Sequence, residues 1–218
     1  MQINHLVVVS GPYGSGKSTM LKNLRENNLP LISKPLGRGN TSTRKFVEMV
    51  APTHVEYDNT LQNLSKPHID GLIITYNFFH NLLMKKVQNF EEDERLDVLL
   101  KSDKITFLTL WVKPEILSKR YTLREKRYWT KNFNLQGVIK FSKSKFKSNI
   151  LFKRSNKIKK IKGVYNSPFL YYAYDKWFDF ISSFNGSANW IVDNSEDNIQ
   201  NIKLLPQSKW QEIIEYKT

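Results

Sequence analysis

A short, Val-rich apolar run from Ile3 to Ser10 leads without a break into Gly11-Pro12-Tyr13-Gly14-Ser15-Gly16-Lys17-Ser18-Thr19. The run suits a buried strand. Gly11, Gly16, Lys17 and Ser18 then stand at the spacing G-x-x-x-x-G-K-[ST], in which glycines let main-chain amides converge on an anion with no side chain in the way. The following Ser18–Arg25 stretch, with apolar Met20, Leu21 and Leu24, suits a helix whose positive end faces bound phosphate. Strand, glycine turn and helix in that order imply an α/β fold: a parallel sheet of about five strands flanked by helices, with ligands at the carboxyl ends of the strands. Residues 11–19 are expected to hold ATP, with Lys17 reaching the β- and γ-phosphates and the Ser18 hydroxyl on Mg2+.

At 218 residues the chain is expected to form a single domain, 1–218, carrying an insert. It has no Cys, which excludes disulfides, thiolate metal sites and cysteine nucleophiles. No apolar run approaches the roughly 18 residues that span a bilayer, and the first residues lack the basic start of a secretory signal. No membrane association and a cytoplasmic location are therefore expected. The four histidines, His5, His54, His68 and His80, show no metal-ligand spacing. An Asn-Lys-x-Asp motif for reading a guanine base is missing as well, which argues against a GTPase.

The formal net charge of +14 is concentrated in one segment. Residues 119–162 hold 16 Lys and Arg against the single acid Glu125, and the remainder of the chain is close to neutral. Lys143, Lys145, Lys147, Lys153, Arg154, Lys157, Lys159 and Lys160 fall here, interleaved with aromatic residues such as Phe141, Phe146 and Phe152. Cations release counterions from a phosphate backbone, and aromatic faces stack on unpaired bases. This segment, 119–162, is expected to be a basic insert that meets a polyanionic partner, the alternative being a solvated basic surface.

Over roughly residues 1–130 the order of signals resembles the thymidylate kinase family of P-loop kinases. Leu31-Ile32-Ser33-Lys34-Pro35-Leu36-Gly37 stands where that family has its second strand and an Arg-Glu-Pro-Gly-Gly-Thr segment. Glu56-Tyr57-Asp58-Asn59 corresponds to an acceptor-facing Asp-Arg pair, and Gly71–Tyr76 to a strand ending in Asp-Arg-Tyr. Ile105–Val112 is similar to the fourth strand, and Lys113–Arg120 to the turn and lid helix. The resemblance implies a P-loop kinase fold and an ATP-dependent phosphotransferase. It also implies that Arg120, Arg124 and Arg127 are lid arginines near the ATP phosphates; their three- and four-residue spacing puts them on one helical face. A solvated basic face is the other use of such a trio.

The departures from the family bear on the acceptor. Lys34 replaces the strand-two acid, Thr75-Tyr76 replaces Asp-Arg, and Asn59 replaces the Arg of the earlier pair. A phosphate dianion entering such a site is poorly compensated, which is costly away from water. An uncharged hydroxyl on a nucleic acid fits better. A related branch in bacterial viruses phosphorylates 5-hydroxymethyluracil within DNA on the way to hypermodified thymine, and the length, basicity and altered third-strand motif resemble it. A soluble nucleoside or nucleoside monophosphate kinase is the alternative. Asp58 is the candidate for orienting the acceptor hydroxyl, or else an ordinary surface or capping Asp.

Further along, Tyr174, Trp177, Phe178 and Ile181 recur at helical spacing within the aromatic stretch 166–184. They form either a packed core face or a base-stacking surface. Ala188–Asp193 suits a last buried strand, and Leu204–Tyr216 has a helical pattern.

Overall fold

The computed structural model describes residues 5–26, 45–49, 69–84, 86–93, 96–97, 99, 102–132, 156, 158–196 and 202–215. They divide into two compact units, Met1–Val112 with Ala173–Thr218, and Lys113–Tyr172.

The first unit is built on a mostly parallel sheet. Its strands are β1 (Leu6–Ser10), β2 (Lys45–Met49), β3 (Ile69–Tyr76), β4 (Ile105–Trp111), β5 (Ala188–Asp193) and β6 (Lys203–Pro206). They lie in the order β2-β3-β1-β4-β5-β6. All neighbours run parallel except β6, which pairs antiparallel with β5. A parallel sheet of about five strands is expected, and the described sheet has five parallel strands with an antiparallel sixth at one edge. Its β2 lies at Lys45–Met49, while residues 31–37, where the second strand is expected, lie outside the described residues. Leu204 and Leu205, expected to open a helix, lie instead in β6, whose register sets Leu205 against Ile191. Only at Trp210–Glu215 does helix follow. The apolar pair at 204–205 serves a two-residue strand period as readily as a helical one, and pairing with β5 satisfies its main-chain groups.

Every residue of β1 and β4 is buried, as expected of parallel strands covered on both faces. Alternation along β4 separates two cores. Leu108 and Leu110 join Val7, Val9 and Ile73 against Met20 and Leu21 of helix α1 (Lys17–Glu26). Phe107, Thr109 and Trp111 face the other way, toward helix α4 (Pro168–Ser182), which follows the short α2 (Phe78–Leu83) and the longer α3 (Pro114–Asn132) in the chain. Trp177 lies at the centre of that second core. It stacks on Tyr76 and Phe78 with centroids 5.3 Å away in both cases, and meets Phe90 edge-on at 5.2 Å. Its indole N–H donates to Thr109 Oγ1 at 3.0 Å, so the polar edge of the ring is satisfied. The aromatic stretch is therefore a packed core face at Tyr174, Trp177, Phe178 and Ile181, all buried. Helix α5 (Trp210–Glu215) adds Trp210, which packs on Trp111 and Tyr174 and donates to Asp175 at 2.7 Å.

The second unit holds α3 and a helical stretch over 158–165, joined by Tyr121 and Tyr165, whose rings meet edge-on at 5.9 Å. It contains the described part of the basic segment 119–162. Among the described residues, no helix is long and apolar enough to cross a membrane.

Candidate functional site

The chain leaves β1 on one side of the sheet, forms β2 and β3 there, and then crosses β1 to form β4. The reversal places the carboxyl end of β1 at a topological switch point, where open α/β sheets take their ligands. The glycine-rich loop 11–16 begins there. Gly11 N–H donates to Tyr76 O at the end of β3 (3.2 Å), so the loop starts flush with its neighbour strand.

Two glycines in this loop are required by geometry. Gly11 and Gly16 have φ of 147° and 99°, which L side chains rarely adopt. A Cβ at Gly16 would also stand 2.5 Å from Asn194 Nδ2, and one at Gly11 would stand 2.7 Å from Ser15 Oγ. Torsion therefore disfavours a side chain at both positions, and a Cβ there would also displace the end of a neighbouring side chain.

Lys17 begins α1 and turns its ammonium back over the loop. Nζ donates to Gly11 O at 2.6 Å and to Pro12 O at 2.8 Å, and lies 5.8 Å from the centre of the Tyr13 ring. Tyr13 meets His80 of α2 edge-on at 5.2 Å. Asn77 caps α2, its Oδ1 accepting from His80 N–H at 3.0 Å. Loop, lysine and the β3–α2 junction thus form one connected group. Ser18 and Thr19, the next two residues of α1, are both exposed. Ser15 Oγ is buried with no hydrogen-bond partner.

Behind the loop stands Asn194, just past β5. Its main-chain N–H donates to Trp111 O (2.9 Å) and its side-chain amide donates to Ser15 O (2.8 Å). Sequence reasoning misses this residue. The signal that could have found it is its position, a polar residue directly after a strand whose carboxyl end had to lie near the loop. In the sequence Tyr76 stands out only as a departure from a family motif. Its ring belongs to the aromatic core and its hydroxyl donates to the buried carboxylate of Asp93.

The expected site residues fall into three groups. Gly11, Pro12, Tyr13, Gly14, Ser15, Gly16, Lys17, Ser18 and Thr19 come together in the first unit. Arg120, Arg124 and Arg127 lie on α3 in the second unit, the last two exposed, and Lys159 and Lys160 are exposed on its 158–165 helical stretch. Asp58, Lys143, Lys145, Lys147, Lys153, Arg154 and Lys157 lie outside the described residues, as do Lys34 and Asn59. Among the described residues no three His, Asp or Glu side chains gather as a metal cage.

The donor chemistry at the loop suits a magnesium-bound polyphosphate. It combines an ammonium, hydroxyls at a helix start, glycine torsions that free main-chain amides, and a buried hydroxyl in need of a partner. No protein-family model and no curated protein matches this chain.

Proposed function

We propose that this chain is an ATP-dependent phosphotransferase of the P-loop kinase type. Its acceptor is a hydroxyl on a nucleic acid, with 5-hydroxymethyluracil in DNA as the leading candidate. The observation that carries the reading is the loop 11–16, set between β1 and α1 at the switch point, with Lys17 directed back over it. Phosphoryl transfer requires chiefly positioning and charge stabilisation, and this loop supplies both.

On binding, the Lys17 ammonium exchanges two carbonyl oxygens for phosphate oxygens, a stronger, charge-assisted pairing. The Ser18 hydroxyl, in the first turn of α1, would hold Mg2+, which when bound would neutralise charge on the phosphates. In the transfer itself the acceptor oxygen bonds to the γ-phosphorus while the bond to the β–γ bridging oxygen breaks. ADP leaves, and the hydroxyl proton passes to a carboxylate or to water. Arg120, Arg124 and Arg127 are assigned to the developing phosphoryl charge, and the basic segment to the DNA backbone.

Incubation with γ-labelled ATP and DNA containing hydroxymethyluracil tests this. Label on the DNA is the expected result. Label appearing only on free nucleosides or nucleotides would refute the DNA acceptor and leave a soluble nucleoside or nucleotide kinase.

A further inference from the structure

The glycine-rich loop is held from behind by one residue far along the chain. Asn194 Nδ2 donates to Ser15 O at 2.8 Å across a separation of 179 residues. Asn194 is itself fixed, because its main-chain N–H extends the β4–β5 ladder by donating to Trp111 O at 2.9 Å. Beside it, Asp193 Oδ1 accepts from Ser195 N–H at 3.0 Å and fastens the turn. The amide therefore reaches the loop from the rigid end of a strand, without a flexible arm.

The consequence lies in the peptide unit that joins Ser15 to Gly16. A trans peptide points its C=O and its N–H in opposite directions, and the described chain has no cis bond. Holding Ser15 O toward Asn194 sends the Gly16 N–H away from Asn194. Glycine at 16 leaves this peptide plane torsionally free by itself, so the hydrogen bond from Asn194 is what fixes its direction.

We propose that Asn194 is a positioning residue for the loop: by gripping the Ser15 carbonyl it aims the Gly16 amide at a bound polyphosphate. This rests on the triphosphate reading of the loop. Preorganised main-chain donors bind an anion without the cost of ordering them on arrival, so loss of the grip weakens phosphate binding.

The test titrates the full chain and its Asn194→Ala and Asn194→Asp variants with magnesium tripolyphosphate by calorimetry. Asn194→Ala should weaken binding about tenfold, the scale of one hydrogen bond near charge. Asn194→Asp, which sets a carboxylate against the Ser15 carbonyl, should weaken it further. Far- and near-UV circular dichroism spectra of both variants should match the wild type, which a misfolded chain would not allow. Variants that bind tripolyphosphate as the wild type does would overturn the proposal. If either variant fails to fold, the wild-type Gly16 amide signal decides by NMR: a large shift on adding tripolyphosphate is expected, and a Gly16 amide that stays put while other loop amides move overturns it. A wild-type chain that takes up no tripolyphosphate removes the underlying reading and the proposal together.

Discussion

Lys17 is held by two carbonyl oxygens of its own loop, at 2.6 and 2.8 Å, so its ammonium is placed before any ligand arrives. Replacing it with Ala removes the one group of the motif that carries a full charge into the phosphate path. Catalytic efficiency in phosphoryl transfer should fall by at least about 3 kcal/mol of transition-state stabilisation, more than a hundredfold. Initial-rate kinetics with labelled ATP measures this, and unchanged turnover in Lys17→Ala would remove the loop from the mechanism. The role of Lys17 is legible in the sequence because a motif of neighbouring residues keeps its members together in space whatever the rest of the chain does. Asn194 is not, since a hydrogen bond across 179 positions depends on strand order, which no local pattern specifies.

At the scale of elements, α4 shows how one aromatic residue can set the packing of a whole sheet face. Trp177 has no exposed surface and packs on rings from β3, α2 and β4. Trp177→Ala should destabilise the fold by about 3–5 kcal/mol, through reduced burial and the cavity left behind. It would also leave Thr109 Oγ1 without its indole donor. Chemical denaturation read by circular dichroism measures the effect, and a cost under about 1 kcal/mol would show that the core closes over the gap. The helix itself is legible from its periodicity, and β1, β4 and β5 from short runs rich in apolar residues. The strand at 203–206 is not, because four residues are too few to show a period and its partner is supplied by the sheet edge.

For the molecule as a whole, charge is the feature most open to experiment. Lys159 and Lys160 are exposed within the unit Lys113–Tyr172. If they neutralise phosphates, reversing both to Glu should reduce the salt slope of DNA binding by about one unit for each phosphate they serve. Binding titrations at several salt concentrations measure this, and an unaltered slope would take both lysines off the backbone. A solvated surface and a nucleic-acid grip carry the same composition, so counting charges predicts where binding occurs but not whether it does.

From its amino acids alone this chain was bound to place a glycine turn between a buried strand and a helix, because those preferences act within a dozen or so neighbouring residues. Which strand flanks that turn, which carbonyl Asn194 holds, and the burial of Tyr76 against Trp177 beside Asp93 were decided only by the tertiary structure. Parallel strands must be joined by long crossovers, so their neighbours are chosen by burial over the whole sheet and not by adjacency in the chain.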